Sequence, residues 1–313
     1  MGLDLSASSA RLVELAPGPG GGWSLEHLAC EPLGKGWLGD GQVLEFDEVA
    51  AAIQRLVARS GSRTREVAMA LPASAVMMRR LTLPAGLDDE QLEPLVQLEA
   101  EQQIPFPLEE LSLDFGIAGP VPGDPGQVEV FVAAARQETV QDRQALAEAA
   151  GLVARVLDIG SHASLRALRR CLTAGAAAPA RALVALVELE PSLLSLRVLR
   201  DDALLYEHEH PREATARPDE DAEIAGARLV AQALQQFFAS APHHAVDQLL
   251  LAGVAAASAR FVDQVAALTG FQTRAVDTFE GMVIAPDIDR PLLQREAPAC
   301  LAACGLAMRQ DTA

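Results

Sequence analysis

Short apolar runs separated by glycine- and proline-rich turns open the chain. Gly2 to Leu5 and Ala10 to Leu15 flank Ser6-Ala7-Ser8-Ser9, and PGPGGG (Pro17 to Gly22) leads into WSLEHLAC. Runs of this length joined by tight turns predict a three-stranded meander. GPGGG has no Lys-Ser/Thr ending and lies between two strands, so it is expected to be a hairpin turn and not a phosphate loop. From Phe46 to Arg59 the period changes, with Val49, Ile53, Leu56 and Val57 at helical spacing. Asp47 is the expected N-cap and Gly61 the expected stop.

EVAMALP and VMMRRLTLP then read as strands, Leu87 to Gln103 as a helix, and LSLDFGIAG and VEVFVAAA as strands around VPGDPG. Thr139 to Ala150 reads as a helix, LVARVLDI as a strand, and Ser161 to Leu172 as a helix capped by Ser161. Within this stretch EAEQQIPFP (Glu99 to Pro107) stops a helix against two prolines. Proline removes a backbone donor and forces the preceding residue to be extended, so Ile104 and Phe106 acquire fixed directions, into a core or toward a partner.

TAGAAAPA (Thr173 to Ala180) breaks the pattern and is expected to connect two lobes. The second half then begins as the first did. ALVALVEL and SLLSLRVL flank a turn, and ALLYEHE follows. Asp4 precedes Ser8 by four residues, and Glu188 precedes Ser192 by four. This is a weak internal repeat of a meander with an acid at its first turn. A helix over Glu220 to Phe238, the strand QLLLAG, a helix over Ser258 to Thr269, the strand FQTRAV and a last helix near Ala297 to Met308 complete the series. Two mixed α/β lobes, each led by a hairpin whose turn carries an acid and hydroxyls, is the layout of actin-like ATPases. There the two turns hold phosphates by backbone donors and the water shell of Mg²⁺ by their acids.

Composition narrows the chemistry. The chain has 313 residues, half of them apolar, and a formal net charge of -18. No basic run marks a nucleic-acid or lipid footprint. Cys30, Cys171, Cys300 and Cys304 form no CxxC pair, which fits a reducing compartment, and Cys300 and Cys304, four apart in an Ala-rich helix, read as small buried thiols. The longest charge-free stretches run to about a dozen residues, as in Gln248 to Ala259, against the roughly 20 a spanning helix needs. No basic n-region or apolar h-region opens the chain, so no secretory signal is expected. The myristoylation-like Met1-Gly2 start leads straight into a strand and is discounted. His208 and His210 share one strand face and His243-His244 precede a strand. Neither pair brings enough further ligands for a metal.

The residues now assembled carry a family resemblance. AEQQIPFPLEELSLDF (Ala100 to Phe115), VAMALPASAVMMRRLTLP, LLLAGVAAASARFVDQVAALTG with DTFEGM, and PACLAACGLAMR together resemble the PilM family of type IV pilus assembly over almost the whole length. The resemblance implies an α/β, two-lobed actin-like fold of the ASKHA, FtsA-like kind, with a small α/β subdomain inserted in the first lobe and a reduced subdomain in the second. The expected lobes are 1–175, with the insertion at about 84–155, and 176–313, ending in a C-terminal helix. It also implies a cytoplasmic protein whose inserted subdomain and neighbouring lobe form a groove for the short cytoplasmic N-terminal peptide of PilN, an inner-membrane protein. Ile104 and Phe106 are expected in that groove or supporting it.

The nucleotide turns depart from the family pattern. Where the family reads D-I-G-S-S-S, this chain has Asp4-Leu5-Ser6-Ala7-Ser8-Ser9. Where it reads D-I-G-A-S-T-T, this chain has Glu188-Leu189-Glu190-Pro191-Ser192-Leu193-Leu194. A-G-G-G has become Ala252-Gly253-Val254-Ala255. Glycines let backbone approach phosphate closely, and Pro191 deletes a donor. Glu190 would set like charge against a polyphosphate. At about 4 Å that repulsion is roughly 4 kcal/mol at an effective dielectric of 20, and about 1.4 kcal/mol is tenfold in affinity. HPREATARPD (210–219) stands where the family carries a small helical subdomain. The cleft is therefore expected to be vestigial: Asp4, Ser6, Ser8, Ser9, Glu188, Ser192 and Gly253 would contact ATP, and Asp4 would hold Mg²⁺, only if nucleotide still binds. The resemblance leaves three functions open: an adaptor for a PilN-like tail, a slowly hydrolysing ATPase of pilus assembly, or an MshI-like or secretion-system adaptor.

Overall fold

The structure, a computed structural model, describes residues 1–39, 42–174, 181–201, 203–212, 221–240 and 245–309. The first meander is β1 (Gly2–Leu5), β2 (Ser9–Pro17) and β3 (Trp23–Pro32). A short antiparallel pair, β4 (Leu38–Gly39) and β5 (Gln42–Val43), leads to α1 (Phe46–Ser60) and β6 (Glu66–Leu71). The cap of α1 is Glu45, with no side-chain bond, so the expected cap Asp47 lies inside the first turn, where its charge still complements the helix dipole. Gly61 ends the helix in the left-handed conformation, as its position predicts.

The chain then leaves the first sheet to build a separate one. β7 (Val76–Pro84), α2 (Asp89–Gln103), β8 (Leu111–Val121) and β9 (Asp124–Arg136) form a three-stranded sheet in the order β7-β9-β8, backed by α2. Asp88 and Gln91 close α2 with a reciprocal capping box, and Ile104 ends it in extended conformation before Pro105. The chain returns through α3 (Gln137–Ala149), β10 (Val153–Ile159) and α4 (Gly160–Ala174). Because β10 pairs in parallel with β6, the separate sheet occupies 76–136 and not the expected span of about 84–155. Ser161 sits inside α4, buried, and does not cap it.

The second half repeats the plan. β11 (Leu183–Leu189), β12 (Leu193–Arg200) and β13 (Ala203–Pro211) form the second meander. α5 (Ala222–Ser240), β14 (Gln248–Ala252), α6 (Ala259–Thr269) and β15 (Thr273–Ala275) follow. One sheet reads β3-β2-β1-β6-β10 and the other β13-β12-β11-β14-β15: three antiparallel strands, then two parallel ones, in the same order. The repeated acid-bearing turn thus marks a repeated lobe. Most of the expected connector, all of His243-His244 and 213–219 lie outside the described residues.

The last segment crosses back. β16 (Val283–Ile284) adds in parallel to β3, and α7 (Arg290–Glu296) and α8 (Leu301–Ala307) follow. The single last helix expected near Ala297 to Met308 is a 3-10 turn at Ala297–Ala299 followed by α8. α8 packs on β1 and α4. One core joins Val13 and Leu25 of the first lobe, Leu165 and Leu168 of α4, Leu301 and Cys304 of α8, and Val184, Leu186 and Leu250 of the second lobe. The helices α4 and α8 are therefore the shared filling between the sheets. They meet at Gly305, where an added Cβ would lie 1.8 Å from the Ala163 carbonyl oxygen. Gly305→Ala should gain helix propensity yet lose about 1–3 kcal/mol or more through overpacking. Urea unfolding of the variant checks this, and a neutral result would contradict the close approach.

Candidate functional site

The two acid-bearing turns meet where the lobes join. Asp4 of β1 pairs in register with Arg11 of β2, on the sheet face turned toward α8. Arg11 is fully buried. Its Nη1 lies 4.0 Å from Asp4 and 3.9 Å from Glu190 of the second turn, and its Nε lies 3.6 Å from Glu296 of α7. One guanidinium thus faces carboxylates from both lobes and from the C-terminal segment. Burial opposes its charge, but Glu190 and Asp4 more than restore it, so Arg11 stays protonated. Burial pushes the Glu190 carboxyl up to about 7, with Asp4 and Glu188 adding to the rise and Arg11 and the Ser6 hydroxyl opposing it. Burial also raises Asp4, partly offset by Arg11.

Each expected cleft residue has a definite partner. The Ser6 amide donates to the Ser9 carbonyl at 2.9 Å, and its hydroxyl meets Ser9 Oγ at 3.2 Å. Ser8 accepts from the Leu33 amide through its carbonyl. Glu188 pairs with buried Arg197, which also binds Glu207 at 2.8 Å, and accepts from Ser164 Oγ at 3.1 Å. The Glu190 amide closes its turn onto the Leu193 carbonyl, and Arg212 Nη1 donates to the Glu190 carbonyl at 2.6 Å. The exposed Ser192 accepts from the Arg212 amide. Gly253 has φ +95, and a Cβ there would fall 2.3 Å from the Leu189 carbonyl oxygen. Its amide donates to the Pro298 carbonyl at 2.9 Å. The loop after β14 therefore lies directly on the second turn. Among the described residues no cluster of three His, Cys, Asp or Glu is placed to hold a metal.

Arg11 and Glu296 escape the sequence reading. The available signal was an arginine at an inward position of an apolar strand, ARLVEL, with Asp4 across the first turn. Glu296 lay too far along the chain for spacing to connect it.

A second concavity lies between the small sheet and the first lobe. The sheet face away from α2 presents Met78, Ser112, Asp114, Phe131 and Ala133 to a groove of about 700 Å³ whose opposite wall is β10. Both β8 and β10 end their sheets, so each brings unpaired main-chain groups to the groove. Phe131 and Ile117 are exposed there. At the rim Asp158 takes Arg166 and Arg309 at 3.0 Å each. Burial would raise its carboxyl, but the Ile159 amide and the two arginines hold it below the usual range. Ile104 and Phe106 lie behind this wall, not in the groove. Ile104 is buried with Ala100, Leu111 and Ala134, and Phe106 packs beside them with the Arg136 guanidinium 4.5 Å from its ring centre.

With this geometry in place, the chain matches the family model described as type IV pilus assembly protein PilM over residues 2–213 and 224–311. The chain belongs to the PilM family. A solved structure described as the PilM-PilN type IV pilus biogenesis complex matches with TM-score 0.77 and 27% identity, over 98% of this chain and 97% of that one. The ethanolamine utilization protein EutJ from Carboxydothermus hydrogenoformans matches with TM-score 0.53 at 12% identity, over 98% and 88%, a likeness of fold alone. The fold is the two-lobed actin-like one that the paired meanders imply.

Removing Arg11 leaves carboxylates facing one another in the lobe junction. Arg11→Ala should cost about 3–5 kcal/mol, measured by denaturant unfolding. The Glu190 carboxyl holds its proton to about pH 7 when folded and releases it near 4.5 when unfolded. Across that window the folded state binds more protons, so stability falls as pH rises through it. Glu190→Gln should flatten this decline in unfolding titrations across the window. Asp4 contributes in the same direction, so part of the slope should persist.

Proposed function

We propose that this chain is an adaptor of type IV pilus assembly that binds the short cytoplasmic tail of a PilN-like inner-membrane protein and no longer uses nucleotide. The observation that carries the first half is the groove between the small sheet and β10, in a chain resembling a PilM-PilN complex along nearly its full length. The end strands β8 and β10 can supply main-chain hydrogen bonds to an extended peptide, and Phe131 and Met78 supply apolar contact. Ile104 and Phe106 serve this site from behind, by anchoring the end of α2 against the wall. No helix among the described residues is long and apolar enough to cross a membrane. Attachment to the inner membrane is then the partner's work.

The residues of the lobe junction do not fit a nucleoside triphosphate. Arg11 is neutralised by Asp4, Glu190 and Glu296, a carboxylate and Pro191 replace the backbone a phosphate would approach, and the Gly253 amide is bonded to Pro298. A triphosphate would have to displace Glu190 and break these bonds.

Fluorescence anisotropy with the labelled cytoplasmic peptide of the PilN-like partner tests the adaptor. Saturable binding is expected, weakened about tenfold or more by Phe131→Glu, which corresponds to about 1.4 kcal/mol. Failure to bind removes the reading. Titration with a fluorescent ATP analogue and Mg²⁺ should show no micromolar affinity. Such affinity would favour a slowly hydrolysing ATPase instead.

A further inference from the structure

A second groove, which adjoins the first at His162 of α4, is lined by positive charge. It measures about 840 Å³ and lies between α4 and β13. His162, Arg166, Arg169 and Arg170 form its α4 wall, Leu204 and Met308 contribute apolar surface, and no Asp or Glu among the described residues lines it. The spacing of 162, 166, 169 and 170 sets these side chains along one helical stripe. In a chain of net charge -18, a concavity lined by three arginines and a histidine is a local reversal.

The cations are held in place by the fold. Arg166 Nη1 donates to the Gly305 carbonyl at 2.9 Å, and Arg170 donates to the Thr278 and Glu280 carbonyls at 2.7 Å each. A carbonyl orients a guanidinium without neutralising it, so Arg170 keeps its full charge at the wall. Arg166 shares the single carboxylate of Asp158 with Arg309. The apolar side is also built. Between Val198 and Leu199 the register of β12 with β13 shifts, so Tyr206 opposes Val198 while Leu204 opposes Leu199. A bulge of this kind re-aims side chains. Here it brings Leu204, 38% exposed, onto the face of Leu199, whose neighbours are α4 residues. β13 is also the end strand of its sheet.

We propose that this groove is a docking site for a short acidic segment of a protein partner, one that interleaves Asp or Glu with apolar residues. The occupant follows from complementarity of both kinds: carboxylates for the arginine stripe, apolar side chains for Leu204 and Met308. An extended polyanion such as nucleic acid or an anionic bilayer would use the arginines but leave Leu204 and Met308 without an apolar partner, and the chain's net charge of -18 opposes its approach.

The test is selection of short random displayed peptides on the full chain, followed by anisotropy of those enriched. Enrichment of acidic and apolar residues is expected, with affinity that falls as salt rises. Arg169→Glu and, separately, Leu204→Asp should each weaken binding about tenfold or more, while Arg169→Lys retains it and each variant keeps the native far-UV circular dichroism. Enriched peptides without acidic bias, or equal binding to both variants, would overturn the proposal. Tighter, Arg169-dependent binding of a single-stranded oligonucleotide or of vesicles containing phosphatidylserine would overturn it too, in favour of that polyanion.

Discussion

A guanidinium carried into the junction of two lobes has to be neutralised there, and Arg11 meets that demand with acids drawn from three separated stretches of chain. Asp4 comes from its own hairpin, Glu190 from the second meander and Glu296 from the segment that returns to the first lobe. At 3.6–4.0 Å these are charge contacts without direct hydrogen bonds, and they act over a region rather than along one bond. A buried charge is weak evidence for stability in itself, but moving either lobe would strand this one.

The apolar core reinforces the same coupling. α4 and α8 fill the space between the two sheets and touch both, so a core shared by the lobes lies between the core that each lobe owns. The contact at Gly305 allows no side chain, and Gly253 allows none against Leu189. With close approaches on each side of the junction, the body behaves as a fixed frame. Such a frame suits the presentation of grooves, because a groove holds its shape only when its walls are anchored.

Much of this was written locally. Alternation and proline-glycine turns gave both meanders, because a strand's period and a turn's chemistry are short-range properties. The stop at Ile104-Pro105 was equally local. What eluded the sequence was lateral. Nothing in VMMRRLTLP says that its sheet is separate from that of EVAMALP, since pairing depends on where β10 returns. The flanking prolines restrict the direction of Phe106, but which side of the wall it faces depends on α2 packing behind β9. Glu190 stood out because it replaced a glycine and placed charge where phosphate was expected. Its partner Arg11 did not, since an arginine in a strand gains meaning only from acids that arrive from elsewhere.

The placement of β16 and α8 has a bearing on how the molecule is made. Val283–Ile284 completes a sheet whose other strands all end by Ile159, and α8 covers β1. A ribosome would therefore release the first lobe long before its last strand and its cover exist. Contacts so distant in sequence form late and slowly. Until then α4 alone would cover the Arg11 face of that sheet, and Glu190 and Glu296 would not yet have met the guanidinium.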